Sequence, residues 1–70
     1  MDRKQNQRVF NKTIDAGYLT EKDIEKMDIW DILQLRDITK KEMEIVAQMQ
    51  KAIREKRLVG FLAGITEEER

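Results

Sequence analysis

Seventy residues form at most one small domain, and a domain of this length buries only about 60% of its unfolded surface. Fourteen basic residues balance fourteen acidic ones, so no overall field draws the chain to nucleic acid or anionic lipid. With no His, Cys or Ser, the usual general base and nucleophiles are missing. We therefore expect a non-catalytic protein that uses no cofactor.

The first predicted helix covers about residues 4–16 and ends at Gly17, a residue suited to the left-handed position after a helix. Arg3 and Lys4 lie near the positive end of the helix dipole, which disfavours them. We expect residues 1–6 to fray for that reason.

The next segment predicts two short helices, over about residues 20–27 and 29–36. Thr20 and Asp23 have the spacing of a capping box, and Leu19 and Ile24 have that of a hydrophobic staple. Asp28 either kinks the helix or caps a new one. The piece from Ile29 to Arg36 is apolar around most of its circumference, which predicts burial between neighbouring helices.

The capping pattern recurs nineteen residues later, with Thr39 and Glu42 as the box and Ile38 and Met43 as the staple. It opens the longest predicted helix, about residues 40–58, and Gly60 supplies a stop. One face of this helix is apolar and predicts the centre of the core: Ile45, Val46, Met49 and Ile53.

An apolar tail containing Phe61, Leu62 and Ile65 follows, and it either folds back on the core or docks elsewhere. The last letters, ITEEER, begin a third capping pattern that stops within one turn. A helix that short does not hold itself together in water. Either residues 66–70 are frayed until bound, or the chain is a fragment or frameshift product.

These elements predict an all-α fold, a small bundle of three to four helices with an apolar C-terminal tail, in one domain of residues 1–70. No apolar run approaches the roughly 20 residues that cross a bilayer, and the N-terminus lacks the apolar core of a signal peptide. A cytoplasmic protein that does not use a membrane is expected.

Trp30 has two roles open to it, main core filler or interface anchor, and the scarcity of aromatic residues favours the core. On that reading, Trp30→Ala costs about 3 to 5 kcal/mol. At helical spacing, the methionines also predict core rather than an adaptable binding surface: Met27, Met43 and Met49.

Acidic and basic clusters raise two further hypotheses. Four carboxylates could attract a hard cation, but caps and solvated faces explain them better: Asp23, Glu25, Asp28 and Asp31. Basic groups at residues 3–12 and 51–57 could contact nucleic acid beside a helix-turn-helix formed by residues 20–36, with Arg54, Lys56 and Arg57 as contacts. The second helix of that pair, IWDILQLR, has few of the side chains that contact bases.

The segment LTEKDIEKMDIWDILQL, residues 19–35, combines the Thr20 cap with Asp23-Ile24, Met27-Asp28-Ile29 and Ile32-Leu33. On these residues it resembles small proteins of tailed phages, of the tail assembly chaperone type. That resemblance, over about a quarter of the chain, implies an adaptor that holds tape measure and tail tube subunits during assembly. It also implies that Trp30, Ile32 and Leu33 are core or docking residues.

The first hypothesis is therefore a small phage or prophage protein-interaction protein, an adaptor or an inhibitor, in the host cytoplasm. Its apolar surface exceeds what so short a chain hides, which predicts a protein partner or a homo-oligomer. The proposed interaction residues are Trp30, Leu33, Phe61, Leu62 and Ile65. The alternative is a nucleic-acid-binding regulator.

Overall fold

The computed structural model describes residues 3–64, and every regular element among them is an α-helix. Two long helices are joined and followed by helices of only five residues. Their bounds are α1 (Arg3–Asp15), α2 (Glu21–Glu25), α3 (Ile29–Leu33), α4 (Lys40–Arg54) and α5 (Leu58–Leu62). The predicted all-α class is confirmed, with five helices in residues 3–64 where three to four were expected.

Capping boxes begin three of the helices. At α2, the Thr20 hydroxyl accepts from the Asp23 N–H at 3.1 Å, and the Asp23 carboxylate accepts from the Thr20 N–H at 3.3 Å. Asp28 and Asp31 form the same reciprocal pair at α3, so Asp28 caps a new helix. Thr39 and Glu42 do so at α4. The predicted staple at α2 buries little, because Leu19 remains 67% exposed.

Left-handed residues end the two long helices. Gly17, at φ 101°, follows α1, and the backbone bonds Tyr18 N–H to Thr13 O and Gly17 N–H to Ile14 O close the motif. Lys56, at φ 59°, takes the same position after α4. The prediction of one helix to residue 58 with a stop at Gly60 is therefore wrong. The chain turns at Lys56, and Gly60 lies inside α5.

Apolar side chains from all five helices and the turns between them form one core. The predicted face of α4 is buried, with Val46 and Met49 fully inaccessible. Phe61 of α5 enters the same core, so the tail folds back as far as Leu62. The buried set is Val9, Ile24, Met27, Ile32, Leu35, Ile45, Val46, Met49, Ala52, Ile53 and Phe61.

Gln50 of α4 holds the end of α2. Its side-chain amide donates to the carbonyls of Met27 at 2.8 Å and Ile24 at 3.0 Å, with a longer approach to Glu25 at 3.4 Å. The last carbonyls of a helix have no partner within the helix, and a five-residue helix has no stability of its own. The Gln50 amide therefore supplies the hydrogen-bond donor that these carbonyls at the end of α2 lack within their own helix.

Asn6 of α1 makes the corresponding contact to α5. Its amide, 2% exposed, donates to the Phe61 carbonyl at 2.9 Å, and Gln7 approaches the Leu62 carbonyl at 3.4 Å. These bonds tie the start of α1 to the C-terminal end of α5. Fraying was expected over residues 1–6. Among the described residues of that range, the helix is already formed at Arg3, and Asn6 is buried.

Lys12 joins α1 to the start of α4. Its ammonium donates to Glu42 Oε1 at 2.8 Å and to the Asp37 carbonyl at 2.9 Å. Burial of Glu42 opposes its ionisation. The hydrogen bonds from Lys12 and from the Thr39 N–H outweigh that effect and lower the pKa of Glu42.

We predict that Gln50→Met destabilises the protein by about 1 to 3 kcal/mol, because the Met27 carbonyl loses its donor while the apolar stem is kept. Gln48→Met, at an exposed position of the same helix, is the control and is expected to be near neutral. Urea unfolding followed by far-UV circular dichroism measures both. Equal free energies of unfolding for the two variants would show that the hydrogen bonds of the Gln50 amide do not stabilise the fold.

The stability of the protein should depend on pH through Glu42. Because folding lowers the pKa of Glu42, its contribution is complete above the unfolded value of 4.5 and is lost as pH falls through the folded value. Glu42→Gln keeps the cap acceptor and removes the charge, so it should cost about 1 to 2 kcal/mol near neutral pH. That cost should shrink between about pH 5 and about pH 3.

The control is Glu44→Gln, which removes an exposed carboxylate two residues away on α4. Urea midpoints of the three proteins across this pH range make the comparison. A cost of Glu42→Gln that is the same at both ends of the range would contradict the assigned role of the Lys12–Glu42 pair.

Candidate protein-interaction surface

Three apolar side chains lie together on the solvent side of α3. Ile29, Trp30 and Leu33 fall within about 100° of the helix circumference, given 3.6 residues per turn. They are 55%, 69% and 47% exposed, while Ile32, about 60° beyond Ile29 on the side away from Trp30, is 6% exposed and belongs to the core. We name Ile29, Trp30 and Leu33 the α3 face.

The predicted burial of residues 29–36 on all sides is wrong. The helix ends at Leu33, and it packs on α4 through one side only, so Ile32 and the following Leu35 take the core positions. Three neighbouring apolar side chains are left facing solvent.

Trp30 is likewise not the core filler that its rarity predicted. It is the most exposed residue of the α3 face, and the large buried side chains of the core include Ile24, Met49 and Phe61 instead. Scarcity of aromatic residues was a poor guide, because Ile, Val, Leu and Met side chains from α1 to α4 and the turns between them, with Phe61 of α5, fill this core.

Two carboxylates belong to the start of α3, Asp28 as its cap and Asp31 at its third position, about 100° around the helix from Trp30. Asp28 is exposed and Asp31 is half-buried, and each accepts the other's backbone N–H in the capping box. Tyr18 lies beside them. Partial burial, and then the Asp31 carboxylate that accepts from its hydroxyl, raise the pKa of Tyr18, with a smaller contribution from Asp28.

The tail residues do not join this surface. Phe61 is 2% exposed and Leu62 is half-buried against the core, so in the free chain neither side chain lies on the exposed surface with Trp30 and Leu33. The proposed Ile65 lies outside the described residues, as does the third capping pattern. Sequence reasoning did not single out Val59, which is 84% exposed on α5, and nothing in its apolar pattern separates it from Leu58.

The basic groups proposed for nucleic acid are partly engaged in the fold. Lys12 holds Glu42, and the Arg57 guanidinium lies 2.6 Å from the Glu55 carboxylate. Arg3, Arg8, Arg54 and Lys56 are exposed, but they are spread over three different segments. The two helices of the suggested helix-turn-helix are single turns, and the second presents its apolar side to solvent.

Within residues 3–64, no group of three or more Asp and Glu side chains is placed to hold a metal ion. Over the same residues, no helix has both the length and the apolar character to cross a membrane. Comparisons with protein-family models, with curated proteins and with solved structures found no match.

We predict that Trp30→Ala changes the free energy of unfolding by no more than about 0.5 kcal/mol, since the ring contacts little of the core. Ile32→Ala, two residues along the same helix, should cost about 2 to 4 kcal/mol because it leaves a cavity against α4. Urea unfolding of both variants checks the pair. A loss at Trp30 as large as that at Ile32 would place the indole inside the fold.

Proposed function

We propose that this protein is a small non-catalytic interaction protein that binds a partner protein through the α3 face. The observation that carries the proposal is the exposure of Ile29, Trp30 and Leu33 on one side of a single helix. The resemblance of residues 19–35 points to a particular form of it, an adaptor of the phage tail assembly chaperone type acting in the host cytoplasm.

The α3 face has the composition of an interface centre. Trp residues are enriched among the few side chains that dominate binding energy, and aliphatic neighbours exclude water around them. The largest contiguous apolar patch on a small protein is often its interaction site. A cluster of three is more informative than the isolated exposed Val59 on α5.

The surface is also held rigidly. Ile32 and Leu35 anchor the segment in the core, and the Asp28–Asp31 box fixes the first turn of α3. Gln50 binds the carbonyl of Met27, which immediately precedes the cap. A partner therefore meets side chains whose backbone is already in place, which lowers the entropy that binding would otherwise cost.

The proposal is tested by affinity capture from a lysate of the source organism with the full chain. Any captured protein is identified by mass spectrometry, purified and titrated calorimetrically against the wild type. We expect Trp30→Ala to weaken the reconstituted complex by about 30-fold or more, the loss typical of a binding hot spot. Leu33→Ser should also weaken it.

Val59→Ser is the matched control, because it removes an exposed apolar side chain from a different helix. It should leave the affinity within about twofold of wild type. A purified partner that binds Trp30→Ala and Leu33→Ser as tightly as it binds wild type would contradict the proposal.

A further inference from the structure

Charge is unevenly distributed along this neutral chain. Residues 20–37, which contain α2 and α3, carry six acidic and three basic side chains, a net charge of −3. Residues 3–15 of α1 and residues 40–62 of α4 and α5 each carry a net charge of +3. The exposed apolar α3 face is therefore part of the acidic segment.

Within residues 3–64, the two carboxylates of the α3 capping box are not neutralised by an ion pair. Within the described residues, Asp28 and Asp31 serve as caps, and neither forms an ion pair with a Lys or Arg side chain. Asp28 immediately precedes Ile29 at the N-terminal end of the α3 face, whereas Asp31 lies about 100° around the helix from Trp30. An apolar surface within a segment of net negative charge favours a ligand that carries positive charge beside its own apolar stripe.

We infer that the partner element is a basic amphipathic helix, an inference that rests on the proposed function of the α3 face. Its apolar stripe would cover Ile29 and Leu33, as in other helices that lie in an apolar groove. Its flanking Lys or Arg side chains would meet Asp28. The exposed indole of Trp30 offers a cation a second contact through the face of the ring.

A second copy of this chain fits the α3 face less well. A symmetric pair would bring the same acidic segment against itself, which like-charge repulsion disfavours. In an unsymmetric pair, the one large exposed apolar side chain on the described basic helices is Val59. A single Val is too small to cover an indole and two aliphatic side chains.

The test uses three synthetic helical peptides that share one Leu-based apolar stripe and differ only in their polar face, which is Lys, Gln or Glu. Each carries a terminal fluorescein, and binding to the full chain is followed by anisotropy at low and moderate salt. We expect the Lys peptide to bind about tenfold or more tighter than the Glu peptide. That preference should fall as salt rises, because exposed charges are screened.

Two single substitutions separate the charge from the apolar contact. Asp28→Asn removes the charge while keeping a side chain that caps as well as Asp, so it should reduce the preference for the Lys peptide and leave the fold intact. Its control is Glu44→Gln, an exposed charge on α4 that should leave the preference unchanged. Trp30→Ala should reduce binding of all three peptides.

Each other outcome overturns the inference in a distinguishable way. Equal binding of the three peptides, lost in Trp30→Ala, would remove the basic partner and leave the proposed function standing. Lys peptide binding that survives both Trp30→Ala and Asp28→Asn would be adsorption elsewhere on the chain. No binding by any peptide would also reject a basic helix, and the capture experiment would then decide the proposed function by itself.

Self-association is examined with the chain alone. We expect a monomer by analytical ultracentrifugation at the concentrations used for binding. A dimer that Trp30→Ala dissociates would make a second copy the occupant of the α3 face and would overturn the inference of a basic helix. Dissociation by Val59→Ser as well would identify the unsymmetric arrangement.

Discussion

The Gln50 amide is the interaction on which the arrangement of the short helices depends. It reaches from the longest helix to the carbonyls of Ile24 and Met27, where α2 ends and α3 is about to begin. Neither short helix has enough turns to persist alone. Fixing the carbonyl of Met27 also fixes the entry to the Asp28 cap, and thereby the direction in which α3 presents Trp30.

The same solution is used at the other end of the molecule, where Asn6 binds the carbonyl of Phe61. Both long helices thus contribute a side-chain amide to the C-terminal end of a helix that is one turn long. Lys12 adds a third link by joining α1 to the capping box of α4. Because so short a chain buries few apolar residues, these hydrogen bonds between distant segments help to hold the tertiary structure together.

The sequence predicted those features that depend on residues close together in the chain, and it missed those that depend on residues far apart. The capping boxes at Thr20 and Thr39 join residues three apart, so their patterns were visible, and so was the left-handed stop at Gly17. The left-handed turn at Lys56 was not predicted, because lysine is not a residue type that favours this conformation. The partners of Asn6 and Gln50 lie 55 and 23 to 26 residues away, beyond any local pattern.

The candidate site was predicted in part. Trp30 and Leu33 were proposed as interaction residues, and both are exposed on α3, but sequence reasoning favoured Trp30 as core. Periodicity could not decide this, because a helix that is apolar on every side does not reveal which side its neighbours cover. Phe61 was proposed as an interaction residue and is buried in the core instead. Its position there depends on the turn at Lys56, which the sequence pattern did not predict.

The folded chain presents Trp30 to solvent, and we propose that a partner covers its indole. Acrylamide quenching of the single Trp measures this directly in the free protein. We predict a quenching constant close to that of a small tryptophan amide in the native monomer, and a much lower constant once a partner is bound. Strong protection of the indole from acrylamide in the free, monomeric chain would contradict the exposed position of Trp30 on α3.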